Sequence, residues 1–266
     1  MRWSCTGILG GVALVSADWL SDRLSEVVVV DCRWTLGEPG AGRRAYLAGH
    51  VPGAAHMDVD DDLSDPPGDG RHPLPDPARF AAAAARAGIG AQTPVVAYDE
   101  GHGGAARLWW LLRHFGHPAP AVLDGGFGAW RGSVARGAES PAPPAAPFVP
   151  LPREDDVIDA EEIRAGGDFD LVDARAPGRF RGDHEPIDAV AGHIPGARNV
   201  PATQPLAELG AQLDRGRDLV AYCGSGVTAA TLVLAAEAAG LPARLYPGSW
   251  SQWSSRGLPV ERGDPS

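Results

Sequence analysis

The sequence predicts an α/β protein made of two tandem copies of one unit, each a mainly parallel sheet with helices on both faces. Apolar and β-branched runs, as at 27–30, 95–98 and 219–222, alternate with Ala- and Leu-rich stretches of helical spacing. Unbroken apolar runs mark strands buried on both faces, and regular alternation of strand and helix sets such strands parallel. A set of short motifs then recurs in the same order in both halves, which duplication of a whole domain explains. A Pro- and Ala-rich stretch without periodicity separates the copies and reads as a semi-rigid linker. The predicted organisation is an N-terminal domain over 1–140, a linker over 141–156 and a C-terminal domain over 157–266.

The chain opens ambiguously. Arg2 followed by the small and apolar residues 7–17 has the form of a short signal peptide. Against this, 12–15 reads as a first strand and Ser16 as the N-cap of a helix carrying Trp19, Leu20 and Leu24. Cleavage would remove both the strand and the cap, so an unprocessed, cytoplasmic chain is expected. The next strand lies within 27–33. A turn at 49–54 and an acidic, Gly- and Pro-rich loop over 58–77 follow. Helices are expected over 79–87 and 105–115, on either side of a strand at 95–98, and 123–130 closes the copy.

The second half repeats these signals. Val172-Asp173-Ala174-Arg175 echoes Val30-Asp31-Cys32-Arg33, and Gly192-His193-Ile194-Pro195-Gly196 echoes Gly49-His50-Val51-Pro52-Gly53. Pro247-Gly248-Ser249-Trp250 echoes Asp124-Gly125-Gly126-Phe127. The fourth echo is unequal: Leu219-Val220-Ala221-Tyr222 ends in Cys223, where Val95-Val96-Ala97-Tyr98 ends in Asp99. Asp99 offers no thiol nucleophile, so the first copy is expected to be catalytically silent and to wall a cleft shared by the two. His50, His193, Asp31 and Asp173 occur in both copies and are read as turn-holding hydrogen-bond partners. The tryptophans of the repeat ends are read as core.

The chemistry concentrates at 218–240, in the order strand, Cys223, Gly-rich loop, helix. Ligands of open α/β sheets sit beyond the carboxyl ends of strands. A helix N-terminus presents unpaired N–H groups and the positive end of its dipole, and Gly224 and Gly226 let loop N–H groups turn inward as an anion-holding nest. A thiol at the focus of such a nest is favoured as thiolate, the form that acts as nucleophile. A buried, inert core cysteine is the competing reading; glycines on both sides of Ser225 at a strand–helix junction favour the nucleophile.

Composition sets limits. The net charge of −11, without any Lys/Arg run, disfavours nucleic acid or an anionic membrane as partner. No apolar run is long enough to span a bilayer. Cys5, Cys32 and Cys223 lie far apart, show no metal-ligand spacing and fit a reducing compartment. Cys5 and Cys32 are read as bland, and no metal or cofactor is expected.

The run Cys223-Gly224-Ser225-Gly226-Val227-Thr228-Ala229 resembles the active-site loop of rhodanese-type sulfurtransferases, in the form typical of 3-mercaptopyruvate sulfurtransferases. The resemblance extends over nearly the whole chain and implies two tandem rhodanese-like domains. It implies that Cys223 takes sulfur as a persulfide and that a thiol, a thioredoxin-like protein or cyanide removes it. The loop backbone of Gly224, Gly226, Val227 and Thr228 would stabilise the sulfur anion. It assigns Arg179, in Gly178-Arg179-Phe180, to the donor's anionic group. A second family arginine, nine residues on, falls on Asp188; Arg181 is the candidate to replace it. Ser225, His72 of Arg71-His72-Pro73-Leu74-Pro75, and Asp60 match a proton relay that would serve the leaving enolate of 3-mercaptopyruvate. Thiosulfate is the alternative donor, but the loop carries a hydroxyl and no charge, which favours 3-mercaptopyruvate. A cysteine phosphatase would need Arg six residues after the cysteine, where Ala229 stands. A non-catalytic sulfur-binding module is disfavoured by the intact loop and Arg179.

Overall fold

The computed structural model describes residues 13–214 and 216–264. Cys5 and Val12 lie outside the described residues. The chain forms two compact units: one comprises the chain up to Asp65 with Pro75–Arg153, the other Pro66–Leu74 with the chain from Glu154 onward.

The first unit holds β1 (Leu14–Val15), α1 (Ala17–Asp22), β2 (Val28–Asp31), α2 (Ala41–Ala48), β3 (Ala55–His56), α3 (Pro77–Arg86), β4 (Val95–Tyr98), α4 (Gly104–His114), β5 (Pro120–Leu123) and α5 (Gly126–Ala129). The sheet order is β1-β5-β4-β2-β3, and every pairing is parallel. The valines of β2 lie in register with β4, Val29 opposite Val96, as expected of strands covered on both faces. Ser16 caps α1, its hydroxyl accepting the Trp19 N–H at 3.2 Å. Helix α3 starts at Pro77, ahead of the periodic residues. Asp76 accepts the N–H groups of Ala78 and Arg79 at 2.9 and 3.1 Å, and proline at the first helical position lacks only a donor that would be unpaired anyway. The core gathers Leu20, Val29, Val96, Tyr98, Leu123 and Trp130.

The Pro- and Ala-rich run is laid along this unit by backbone pairs. Ala135 bridges His50, Ala146 accepts from Ala91 at 3.1 Å, and Leu151 donates to Phe115 at 2.9 Å.

The second unit holds α6 (Ala160–Ala165), β6 (Phe169–Asp173), α7 (Pro177–Arg181), β7 (Arg198–Asn199), α8 (Leu206–Gln212), β8 (Asp218–Tyr222), α9 (Ala229–Ala238), β9 (Ala243–Leu245) and α10 (Ser249–Ser255). The order is β7-β6-β8-β9, again parallel throughout. A parallel bridge from Val157 to Leu245 takes the edge position that β1 has in the first unit. Helix α9 ends where Gly240 adopts φ +72°. Gly240 donates to Glu237 and Leu241 to Ala236, satisfying the last carbonyls. Phe180, Ile194, Val220, Tyr222, Trp250 and Trp253 fill the core.

The repeated Asp and His motifs build the same support in each unit. Arg33 forks Asp31 and donates to the Gly49 carbonyl at 2.6 Å; Arg175 forks Asp173 and donates to the Gly192 carbonyl at 2.7 Å. The Tyr98 and Tyr222 hydroxyls each accept a turn N–H at 3.2 Å, from Val51 and Ile194. His50 Nδ1 and His193 Nδ1 each lie 2.8 Å from a carbonyl, of Tyr46 and Phe180. These buried, hydrogen-bonded groups fix the turns that follow the central strands.

The excursion Pro66–Leu74 is part of the second unit although its sequence lies in the first half. Asp69 is forked by Arg256 and its carbonyl accepts from Gln252 at 3.0 Å, and the Arg71 N–H donates to Ser251 Oγ at 3.1 Å. Among the described residues no helix is long and apolar enough to cross a membrane.

Candidate active site

Strand β8 delivers Cys223 to the mouth of the loop that opens α9, and the thiol is buried, 1% exposed. Two loop N–H groups converge on Cys223 Sγ, from Ser225 at 3.5 Å and Gly226 at 3.2 Å. Gly226 sits at φ +78°, and a Cβ there would fall 2.6 Å from the Pro247 carbonyl oxygen. Only glycine makes this turn without moving the backbone. Val227 and Thr228 carry the chain into the helix, their carbonyls accepting from Ala230 and Thr231.

The start of α10 holds the outer side of the loop. Trp250 N donates to the Cys223 carbonyl at 3.0 Å and Ser251 N to the Gly224 carbonyl at 2.9 Å. With those carbonyls tied outward, the N–H groups further along the loop are left to face the sulfur. Ser249 adopts φ +52°, the one positive φ outside glycine among the described residues. Its hydroxyl accepts the Cys223 N–H at 3.1 Å and donates to the Tyr246 carbonyl at 2.9 Å. In the duplicated position Gly126 takes φ +59°, and Phe127 donates to the Asp99 carbonyl at 2.8 Å. The serine therefore keeps a strained backbone in exchange for a hydroxyl that anchors the nucleophile's own peptide.

Arg179, on α7, forks Glu185 with Nε at 3.1 Å and Nη2 at 2.7 Å, and Nη2 lies 3.3 Å from Asp188. Both terminal nitrogens stand 3.6 Å from where a Cβ on Gly224 would be, so the guanidinium reaches the loop mouth. Burial alone would raise the Glu185 carboxyl; the Arg179 hydrogen bond and charge, with the N–H groups of Asp188 and Ile187, outweigh it and hold the carboxyl below its usual range. Arg181 is turned to Asp183 at the surface, at 2.7 Å.

His72 Nδ1 and Ser225 Oγ are 2.6 Å apart, both side chains buried. Asp60 belongs to the first unit, where its carboxylate accepts Trp34 Nε1 at 3.1 Å. Cys32 has no donor nest: its thiol is fully buried with Sγ 4.0 Å from the Val30 carbonyl, and burial followed by the charge of Asp31 pushes it well up. It stays a neutral core thiol. Asp99 fills its own loop, Oδ1 accepting Gly101 N at 2.8 Å and Oδ2 accepting Ala105 N at 3.1 Å. Among the described residues no cluster of His, Cys, Asp and Glu could hold a metal ion.

Three contributors escaped the reading of the sequence: Arg71, Ser249 and Ser251. For Ser249 a signal existed, since the duplicated position is glycine and so marks a positive φ. For Ser251 none existed. Arg71 abuts the His72 motif, and nothing in its local sequence marks it out.

Comparison with known proteins agrees with this construction. The model of the rhodanese-like domain matches residues 16–133 and again 156–256. A Mycobacterium tuberculosis protein named "Putative thiosulfate sulfurtransferase SseB" is 43% identical, over 95% of this chain and 98% of that protein. The 3-mercaptopyruvate sulfurtransferase of Homo sapiens is 38% identical, over 94% of each. The crystal structure of SseA from Escherichia coli, described as a 3-mercaptopyruvate sulfotransferase, superposes with a TM-score of 0.77 at 31% identity, covering 90% of this chain and 99% of that one.

Proposed function

This chain belongs to the rhodanese-like family, and on that premise we propose that it moves the sulfur of 3-mercaptopyruvate to a thiol or cyanide acceptor through a persulfide on Cys223. The observation that carries this reading is the convergence of the Ser225 and Gly226 N–H groups on Cys223 Sγ at the N-terminus of α9. The same donors serve the thiolate before transfer and the persulfide after it, so the nest needs no rearrangement between half-reactions.

The thiolate attacks the donor's thiol sulfur. The S–S bond forms as the carbon–sulfur bond breaks, and the electron pair of that bond leaves on carbon as the enolate of pyruvate. The enolate takes a proton to give pyruvate, and Cys223 retains the sulfur as persulfide. An acceptor thiolate then attacks the outer sulfur, forming the acceptor persulfide and returning the Cys223 thiolate; cyanide leaves as thiocyanate. Arg179 at the loop mouth holds the donor's carboxylate. The Ser225 hydroxyl, in contact with His72 Nδ1, is the proton source for the enolate. Two free, buried cysteines suit a reducing, cytoplasmic setting with a thioredoxin-like acceptor.

Thiosulfate is the second reading, favoured by the name of the mycobacterial relative. The test is incubation of the enzyme with each donor alone, mass spectrometry of the Cys223 peptide for one added sulfur, and kcat/KM for both donors with cyanide and with a thioredoxin-like acceptor. Sulfur on Cys223 and a higher kcat/KM for 3-mercaptopyruvate are expected. Absence of a persulfide from either donor overturns the proposal; a higher kcat/KM for thiosulfate transfers it to that donor.

A further inference from the structure

Position 188, where the resemblance leads one to look for a second arginine, is an aspartate, yet the loop mouth has a second guanidinium. It comes from Arg71, on the Pro66–Leu74 excursion. Arg71 Nη2 stands 2.8 Å from where a Cβ on Gly224 would be, closer than either terminal nitrogen of Arg179 at 3.6 Å. Arg71 Nη1 is paired with Asp188. Arg71 Nε and Nη2 are buried and donate to nothing in the structure. The residue is otherwise firmly placed. Its N–H is bonded to Ser251 Oγ at 3.1 Å, and the next residue, His72, is bonded to Ser225 at 2.6 Å. Its side chain is 21% exposed.

Buried guanidinium nitrogens without an acceptor are costly, and such vacancies mark places where a ligand completes the hydrogen bonding. Asp188 and Glu185 balance Arg71 and Arg179, so the two guanidiniums stand together without net repulsion while Arg71 keeps donors unspent. A planar fork with free N–H groups fits a carboxylate or a sulfonate better than it fits a neutral thiol.

We infer that Arg71 is the second cationic contact to the anionic head of the sulfur donor, and that Asp188 is the residue that positions it. The second arginine has changed places: the cation now sits on the excursion, and its former position has become its anchor. The inference rests on the proposed sulfur transfer through Cys223. Because Arg71 precedes His72 directly, the segment that brings the proton relay to Ser225 also brings the donor's second anchor.

The test compares wild type, Arg71→Met, Arg71→Lys and the neutral pair Arg71→Met/Asp188→Asn. Each is assayed for persulfide formation from 3-mercaptopyruvate and from thiosulfate, and separately for discharge of preformed Cys223 persulfide by a neutral thiol. Arg71→Met is expected to lower kcat/KM for the donors by about ten- to a hundredfold, the range of one charged hydrogen-bonded contact, chiefly through KM. Discharge to the neutral thiol is expected to stay within about threefold of wild type. Arg71→Lys is expected to recover part of the loss, having the charge without the fork. The neutral pair is expected to keep the loss, since no unpaired Asp188 charge remains to explain it. A donor kcat/KM within about twofold of wild type in Arg71→Met, restoration in the neutral pair, or an equal loss in donor and discharge reactions would overturn the inference. Failure of the wild type to form the persulfide would instead overturn the sulfur-transfer reading itself, so the two failures are distinct.

Discussion

Asp99 does for the first loop what Cys223 does for the second: its carboxylate receives the Gly101 N–H at 2.8 Å, two residues on, as Cys223 Sγ receives the Ser225 N–H at 3.5 Å. In one copy the nest holds an anion built into the chain, and in the other it holds the sulfur. The carboxylate also takes the N–H of buried Ala105 at the start of α4, so it satisfies a donor that would otherwise be buried without an acceptor.

Asp99 is therefore a structural anion. Asp99→Ala is expected to leave sulfur transfer nearly unchanged while lowering the stability of the first unit by about 1–3 kcal/mol, the cost of one unsatisfied buried donor. Thermal unfolding beside steady-state kinetics checks this. A fall in kcat with unchanged stability would assign the first loop a part in the chemistry.

Cys223→Ser is expected to abolish transfer and persulfide formation, whereas Cys32→Ser retains turnover. Of the two described cysteines, only Cys223 has N–H donors on its sulfur; Cys32 is sealed and uncharged. Residual turnover in Cys223→Ser, measured with cyanide as acceptor, would end the mechanism.

Arg179→Ala is expected to cost about 2–4 kcal/mol in donor kcat/KM and far less in discharge to neutral thiols. It carries a second signature through Glu185. The folded value of that carboxyl is depressed, so its contribution to stability is present above the unfolded value and is lost as pH falls through the folded value. Without Arg179, burial is the leading influence that remains and it raises the carboxyl. Acid unfolding of the variant should then begin at higher pH than in the wild type, which an acid titration followed by circular dichroism measures.

Ser225→Ala is expected to depress turnover of 3-mercaptopyruvate selectively, because pyruvate enolate must acquire a proton and sulfite need not. His72→Gln is expected to act the same way. The double variant should lose little more than either single one, since the two side chains form one 2.6 Å contact. Ser225→Lys is expected to shift preference toward the more highly charged thiosulfate. Parallel kinetics with both donors decide, and equal losses on both would mean that the hydroxyl does not select the donor.

The sequence by itself determined what is contiguous. The order β8, Cys223, Gly224 to Gly226, α9 lies within one stretch of chain, and strand propensity, turn glycines and helix spacing act over that range. The duplication was legible for the same reason: Asp31-Cys32-Arg33 and Asp173-Ala174-Arg175 are local motifs, and each arginine folds back on an aspartate two residues away. Only the tertiary structure decided which distant groups meet at the loop mouth. Arg71 and Asp188 are 117 positions apart and Arg71 and Ser251 are 180, pairs that no local motif announces; His72 and Ser225, 153 apart, are paired in the sequence through the family resemblance alone. The chain holds 23 basic and 34 acidic residues, so charge alone names no pair; the path of the backbone selects one. Read locally, Asp188 is a lost arginine. Placed beside Arg71, it anchors a replacement, because a buried carboxylate is retained where a guanidinium compensates it.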